Sequence, residues 1–146
     1  MAELVDLSIF ILQLLGMPAQ DVNSIIRSIL DACIKIHTEL GPGLLESVYE
    51  NVLVYELGKR SLSVQKQKAI PVVYEGVKFE DGFRADLIVE GSVIVEIKSV
   101  DQLAPVHFKQ IHTYLKLSGV KNGILVNFNV NLLKDGFFRR FNNLAG

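Results

Sequence analysis

The sequence has few cysteines, little excess charge and no long hydrophobic run, and each shortage excludes a class of protein. Cys33 is the only cysteine among 146 residues, so no internal disulfide can form, and its apolar helical position predicts a core side chain in the reducing cytoplasm. The formal net charge of −1 excludes a broad basic surface, so any contact with nucleic acid must be local. The apolar stretch from Leu7 to Leu15 is too short to cross a membrane, and Glu3 and Asp6 precede it where a signal peptide carries positive charge.

What is present describes one well-packed domain. Hydrophobic residues make up 49% of the chain and charged residues 21%, which excludes a disordered protein. The segment Met17–Asp21 interrupts the first apolar run. We therefore predict an apolar helical extension over residues 1–20, which packs on the domain or on a partner, and a single folded domain over residues 21–146.

Two amphipathic helices are predicted next. Asp21 or Asn23 can cap the first, whose buried stripe repeats at three- and four-residue steps: Ile25, Ile29, Ala32, Cys33 and Ile36. The run Gly41–Gly43 ends it, because the residue before a proline disfavours helical geometry and glycine admits positive φ. The second helix is predicted from Leu44 to Leu57, with Gly58 at its end.

From Ser63 onward the hydrophobic period becomes alternating, which indicates strands. The candidates are Val64–Tyr74, Val77–Phe79, Phe83–Val89 and Val93–Ser99, then a helix from Pro105 to Gly119, a strand over Gly123–Phe128 and a closing strand within Leu132–Phe141. Without the closing strand the order is α-α-β-β-β-β-α-β. This order predicts an α/β sandwich, a mixed β-sheet flanked by helices.

Charged residues interrupt two of these strands in a pattern that indicates a site. Because strand side chains alternate, Glu96 and Lys98 share one face and their apolar neighbours share the other. A three-residue loop over Glu90–Ser92 places Asp86 opposite Glu96, whereas a two-residue loop would separate the two carboxylates. Paired positions hold their Cβ atoms roughly 4.5–5.5 Å apart, so both carboxylates can bind one cation.

An all-oxygen donor set of this kind suits Mg²⁺ or Mn²⁺ better than structural zinc. Such an ion would lower the pKa of a water molecule, and Lys98 would position that water or offset charge on the transition state of phosphodiester hydrolysis. The alternative is a surface ion pair between Lys98 and its neighbours on a solvated strand face.

Four blocks along the chain resemble a known family in order and spacing. They are Gly43–Tyr49, which reads as GxxExxY, then Arg84–Asp86, Val95–Lys98, and Gln110–Tyr114, which reads as QxxxY. The chain resembles the GxxExxY family of small PD-(D/E)XK-like proteins from about Ile25 to Phe128. The order of the blocks is similar to that of RecB-like and lambda-exonuclease-like nucleases. Tyr49 falls one turn after Leu45 and Glu46, so we expect it to brace Glu46.

The resemblance implies a restriction-endonuclease-like fold and assigns roles to the residues that match. Glu46 would approach the metal from its helix, while Asp86 and Glu96 bind the ion directly together with the carbonyl oxygen of Ile97. Lys98 would be the catalytic lysine. The role of Glu46 rests on the resemblance alone.

The resemblance also places Gln110 and Tyr114 over the site, where they would contact substrate or hold Lys98. The alternative for this pair is the polar edge of an ordinary amphipathic helix. Arg84 either binds a phosphate or pairs with an acid. His37 is expected to pack beside the Gly41–Gly43 turn rather than assist the metal, and His107 to lie at the edge of the site.

Three functions are consistent with these residues. The first is a metal-dependent nuclease that cleaves nucleic acid, DNA in particular, and acts at ends. The second is a catalytically silent module of the same fold that acts through a protein partner or as a homodimer, which the small size, near-neutral charge and apolar N-terminal segment favour. The third, an enzyme acting on a phosphorylated small molecule, has no positive support in the sequence.

Overall fold

The computed structural model describes residues 14–15 and 20–142. The helical extension predicted over residues 1–20 lies almost wholly outside the described residues and stays a prediction, as does the domain boundary that follows it. Among the helices of the described part, none is long and apolar enough to cross a membrane.

The first predicted helix is confirmed as α1, Val22–Leu40, and its stripe is the buried one. Asp21 is the residue before the helix, but its side chain makes no capping hydrogen bond. Gly41, at φ 72°, ends the helix as expected. Cys33 is fully buried, and burial raises the pKa of its thiol, which confirms its interpretation as a core side chain.

The second helix, α2, spans Glu46–Lys59 rather than Leu44–Leu57. Leu45 is extended, at φ −66° and ψ 148°, so the helix begins two residues later than predicted, and Gly58 lies inside it instead of ending it. The shift makes Glu46 the first residue of the helix. A carboxylate at that position is favoured because the unpaired N–H groups of a helix start carry partial positive charge.

The sheet has five strands in the spatial order β1-β2-β3-β4-β5. Strands β3 and β4 are parallel and the other neighbours are antiparallel, which confirms the predicted mixed sheet. The elements are β1 Val64–Tyr74, β2 Val77–Val89, β3 Val93–Lys98, α3 Pro105–Ser118, β4 Asn122–Asn127, a 3₁₀ turn at Leu133–Gly136, and β5 Phe137–Phe141.

Three strands, not four, precede α3. The predicted strands Val77–Phe79 and Phe83–Val89 are one continuous strand, β2, because pairing with β1 continues on both sides of the polar residues Glu80–Gly82. A β-bulge in β1 between Ile70 and Val72 shifts the register at this point, and the two strands pair on either side of it. The predicted closing strand is confirmed only over Phe137–Phe141, since the residues before it form the 3₁₀ turn.

Helices cover both faces of the sheet. Helices α1 and α2 pack on the face that carries Leu87, Val95 and Ile97, in the larger of two apolar clusters. Helix α3 packs on the opposite face, where the smaller cluster is Ile70, Ala85, Ile88, Ile94 and Leu115. The face that carries the charged residues therefore has its own apolar core, and the site lies beside that core.

Gly82 lies against the bulge so closely that a side chain there has no room. A Cβ atom at this position would lie 2.6 Å from the Ile70 carbonyl oxygen and 2.8 Å from the Val72 nitrogen, both of which are backbone atoms. We expect Gly82→Ala to lower the free energy of unfolding by about 1–3 kcal/mol, as overpacking does elsewhere. Urea denaturation measures this, with Gly91→Ala in the β2–β3 loop as a comparison that has open space but positive φ. Equal stability of Gly82→Ala and the parent protein would contradict the close approach.

Candidate functional site

The hairpin between β2 and β3 has the predicted register. Leu87 pairs with Val95 and Val89 with Val93, so the loop is the three-residue Glu90–Ser92. The next position along this register brings Asp86 opposite Glu96. The alternation argument therefore places the two carboxylates correctly.

At Asp86 and Glu96, the side-chain carboxylates accept hydrogen bonds from backbone N–H groups of the facing strand. The backbone N–H of Asp86 donates to Oε1 of Glu96 at 3.1 Å, and the backbone N–H of Ile97 donates to Oδ2 of Asp86 at 2.9 Å. Each carboxylate is thus held by the main chain of the opposite strand. This reciprocal arrangement fixes both groups side by side at the point where the ladder between β2 and β3 ends.

The environment of Glu96 opposes a negative charge. Its side chain is 6% exposed, and the pKa of its carboxyl is raised to about 8, first by burial and then by repulsion from Asp86, while Lys98 lowers it. Burial and the same two carboxylates also raise the pKa of the Tyr114 hydroxyl. Two carboxylates forced together away from water are unfavourable unless a proton or a cation lies between them.

Lys98 lies on the same face of β3 as Glu96 and is half-buried. Among residues 20–142 its ammonium is in no ion pair, although four ion pairs are found elsewhere in that range. The surface ion pair considered as the alternative for Lys98 is therefore not present. Its positive charge lowers the pKa of the Glu96 carboxyl.

Glu46 is next to the end of β3 rather than against Asp86 and Glu96. Its Oε1 accepts a hydrogen bond from the backbone N–H of Ser99 at 3.3 Å, and the Ser99 hydroxyl donates to the carbonyl of Leu44 at 2.6 Å. A cleft of about 540 Å³ opens at this point, lined by the Gly43–Ser47 segment, Ser99 and Asn129. Glu46 therefore lies beside Ser99, the residue after Lys98, in a cleft that none of Asp86, Glu96 and Lys98 lines.

Tyr49, which was predicted to brace Glu46, contacts the loop before α2 instead. Its hydroxyl donates to the Gly41 carbonyl at 2.5 Å and accepts from the Leu44 N–H at 3.2 Å, and its ring stacks on Phe128 with centroids 4.3 Å apart. The contact is with the loop main chain. Glu46 is positioned through that loop.

We expect Tyr49→Phe to keep the ring stack but loosen this loop. The free energy of unfolding should fall by about 0.5–1.5 kcal/mol, since the partly buried Gly41 carbonyl and Leu44 N–H lose their shared partner. Urea denaturation measures the loss, and faster amide exchange at Leu44 would locate it. Unchanged exchange at Leu44 would contradict the bracing role.

The remaining predicted residues divide between the site and other tasks. Tyr114 stacks on Phe83 with centroids 4.0 Å apart, and Gln110 is exposed one turn earlier on α3. Arg84 pairs with no acid within the described residues and instead donates to the backbone carbonyl of Gln67 at 3.3 Å. The His107 Nδ1 accepts a hydrogen bond from the Ala104 N–H at the start of α3, and its expected place at the edge of the site stays a prediction.

His37 packs beside the Gly41 turn as expected, where its Nε2 is 2.7 Å from the carbonyl oxygen of Val130. It contacts none of the carboxylates. The metal-assisting alternative for His37 therefore has no geometric support.

Three polar residues near the site were missed by sequence reasoning. Glu50 and Gln67 form a hydrogen bond of 2.7 Å next to Asp86, and Gln67 extends to Asp86 as well. The third, Asn127, is 2% exposed and bonds both the N–H and the carbonyl of Val100, which fixes the chain after Lys98. Only Glu50 had a signal, since it lies four residues after Glu46 and therefore on the same helix face.

The donor set fits a hard divalent cation in part. Asp86 and Glu96 offer adjacent carboxylate oxygens, and the burial of Glu96 beside the half-buried Asp86 disfavours two uncompensated charges. Within the described residues, however, no three His, Cys, Asp or Glu side chains are grouped closely enough to hold an ion by themselves. Mg²⁺ is commonly held by one or two carboxylates plus water and substrate phosphate, so two suffice for that ion.

Comparison with known proteins gives a family and a structural likeness. The profile of the PD-(D/E)XK nuclease superfamily matches residues 23–141. A crystal structure of a protein called SSO0001 is 23% identical, with a TM-score of 0.50, and the match covers 68% of this chain and 52% of that chain. The chain therefore spans about half the length of that structure, and at this identity the likeness shows the fold alone. No curated protein matches.

Proposed function

Because the chain belongs to the PD-(D/E)XK nuclease superfamily, we propose that it is a Mg²⁺- or Mn²⁺-dependent nuclease that hydrolyses phosphodiester bonds in DNA. The observation that carries the proposal is the pair of carboxylates, Asp86 and Glu96, held side by side with Lys98 on the same face. We also assign the chain to the GxxExxY group with a RecB-like motif order. That order favours action at DNA ends.

Asp86 and Glu96 would hold the ion, together with the carbonyl oxygen of Ile97. Glu46 would approach the ion from the first turn of α2, which begins beside Ser99, while Asp86 and Glu96 bind it directly. When bound, the ion polarises the scissile phosphate and makes a water molecule more acidic. The raised pKa of Glu96 supports this assignment, because a cation would relieve the repulsion between the two carboxylates.

Lys98 would provide a positive charge at the site in addition to that of the ion. It is half-buried, so water screens its ammonium less than it would screen an exposed lysine. On the face it shares with Glu96, its ammonium can orient the attacking water or stabilise the charge that grows on the phosphate oxygens. Its lack of an ion-pair partner in residues 20–142 leaves the charge available for this task.

The substrate would enter between α3 and the exposed end of the hairpin. Tyr114 and Gln110 project from α3, and the Tyr114 ring is held by its stack on Phe83, so these residues would form one wall. Arg84, exposed on β2, would contact a phosphate. With a net charge of −1 the protein lacks a broad electrostatic footprint, so affinity would depend on the ion and these local contacts.

The test is cleavage of end-labelled single- and double-stranded DNA and RNA by the purified protein. We expect cleavage with Mg²⁺ or Mn²⁺, none with EDTA, and a preference for DNA with free ends over circular DNA. Asp86→Asn serves as the matched control because it keeps the size of the side chain. Cleavage that survives EDTA or Asp86→Asn would contradict the proposal, and so would failure to cleave any of the four substrates.

A second candidate function, binding to a protein partner, is favoured by the β1–β2 hairpin. The hairpin pairs Tyr74 with Val77, and these residues and Phe79 are each more than half exposed, at 65%, 55% and 53%. Exposed apolar patches of this kind mark interaction surfaces. Sedimentation equilibrium of the parent protein and the Phe79→Lys variant tests the homodimer. A mass of one chain for both proteins would exclude it.

The predicted cytoplasmic location stays a prediction.

A further inference from the structure

Gln67 has a backbone conformation that is unusual for its place in the chain. It lies inside strand β1 at φ 52°, in the left-handed region that residues other than glycine rarely adopt. Its neighbours Lys66 and Lys68 pair with Leu87 and Ala85, so Gln67 stands opposite Asp86. Such strained residues persist only where the surroundings hold them, and they concentrate at functional sites.

The side chain of Gln67 is held between two carboxylates. Its amide nitrogen donates to Oε1 of Glu50 at 2.7 Å and, at a longer 3.4 Å, to Oδ1 of Asp86. The Arg84 guanidinium donates to the backbone carbonyl of Gln67 and holds the strained peptide from the other side. Since Ile97 N–H occupies Oδ2 of Asp86, both oxygens of that carboxylate have a fixed partner.

Glu50 has no role in the proposed function so far. It lies one turn after Glu46 on α2 and is 8% exposed, which is unusual for a glutamate. A buried carboxylate needs hydrogen-bond donors, and the Gln67 amide is one. The hydrogen bond also ties helix α2 to the carboxylate pair on β2 and β3.

We propose that Gln67 is a positioning residue that couples Glu50 to Asp86 and so sets the affinity of the site for a divalent ion. This rests on the proposed function, because it assumes that Asp86 binds the ion. Hydrogen bonds to ligating carboxylates orient them, and losing such a partner typically weakens metal binding by about 10–100-fold. The strained backbone of Gln67 is what aims its amide between the two acids.

Gln67→Gly separates this role from a purely structural one. Glycine adopts φ 52° without strain, which offsets part of the stability lost when the Glu50 carboxylate loses its donor, so the variant should stay folded with a urea midpoint close to that of the parent protein. It lacks the carboxamide, so its Mn²⁺ dissociation constant, measured by isothermal titration calorimetry, should rise by about 10–100-fold. A residue that only supported the fold could not lower affinity while stability is kept.

Glu75→Gly is the matched control. Glu75 also has a left-handed backbone, at φ 50°, and it is exposed in the turn between β1 and β2. The substitution relieves the same kind of strain outside the site, so Mn²⁺ affinity should not change. Gln67→Asn is the second comparison, because asparagine tolerates the left-handed region but is one methylene shorter, and its affinity should also fall.

A double variant tests the coupling to Glu50. If Glu50 acts through Gln67, Glu50→Gln should weaken Mn²⁺ binding in the parent protein but have no further effect in Gln67→Gly. Equal losses of Mn²⁺ affinity in both backgrounds, or unchanged affinity in Gln67→Gly, would overturn this inference but would not contradict the proposed function. A parent protein that binds no Mn²⁺ would instead contradict the proposed function, and the inference with it.

Discussion

Lys98→Met is expected to lower kcat for metal-dependent cleavage by about 10²–10³-fold, which is the usual loss when one preorganised electrostatic group is removed. Methionine keeps most of the length and apolar surface of the side chain, so the half-buried position should stay filled. The Mn²⁺ affinity should change by only a few-fold, because Lys98 is not assigned as a ligand. Single-turnover cleavage and calorimetric titration measure the two quantities separately.

Lys134→Met is the control for a general loss of positive charge. Lys134 is an exposed lysine on the 3₁₀ turn and has no part in the proposed site. Its variant should cleave at the parent rate. If Lys98→Met kept full activity, Lys98 would have no catalytic role; if it lost Mn²⁺ affinity as strongly as rate, its role would be to hold the ligands rather than to act on the phosphate.

The central hairpin could be predicted from the sequence because two independent constraints agreed there. Alternation put the apolar residues Leu87, Val95 and Ile97 on one face, and only a three-residue loop allowed Asp86 to join Glu96 on the other. A slip by one residue would have buried charges in the larger core. The stripe of α1 was equally well determined, since its apolar residues follow the helical period.

The element boundaries that were predicted wrongly lie where tertiary contacts override the local sequence pattern. Glu80, Asp81 and Gly82 have the composition of a turn, yet they continue β2 because β1 pairs alongside them. The start of α2 moved from Leu44 to Glu46 because Tyr49 and Ser99 hold the preceding loop in another conformation. Neither contact has a signature in the local sequence.

The proposed metal-binding carboxylates and the lysine could be predicted from the sequence, but the residues that hold them in place could not. Asp86, Glu96 and Lys98 follow from alternation within one hairpin, but the contact between Glu50 and Gln67 joins a helix to an edge strand through a strained backbone. A left-handed glutamine in a strand leaves no trace in composition or period. The apolar core beneath α3 was also missed, because Ile88 and Ile94 alternate with the charged residues on the same face.

Glu96→Gln is expected to stabilise the metal-free protein at alkaline pH. The folded-state pKa of Glu96, about 8, lies above the ordinary value of 4.5, so the folded protein holds a proton that the unfolded chain has released between these values. The stability of the parent protein therefore falls as pH rises from about 4.5 to 8, and the uncharged glutamine lacks this loss. The difference at pH 8.5 should be on the order of 2–4 kcal/mol, and it should vanish near pH 4.

Thermal unfolding in EDTA at pH 4 and pH 8.5 measures this, and Glu90→Gln, in the loop of the same hairpin, is the matched control. Saturating Mn²⁺ should reverse the order at pH 8.5, because an ion at about 1,000 times its dissociation constant stabilises the parent protein by about 4.1 kcal/mol and the variant has lost a charged ligand. A variant that stays the more stable of the two with Mn²⁺ would show that Glu96 does not bind the ion. The buried charge of Glu96 thus destabilises the metal-free protein at alkaline pH. A bound cation removes the cost of placing this charge beside Asp86, and the site therefore favours a cation.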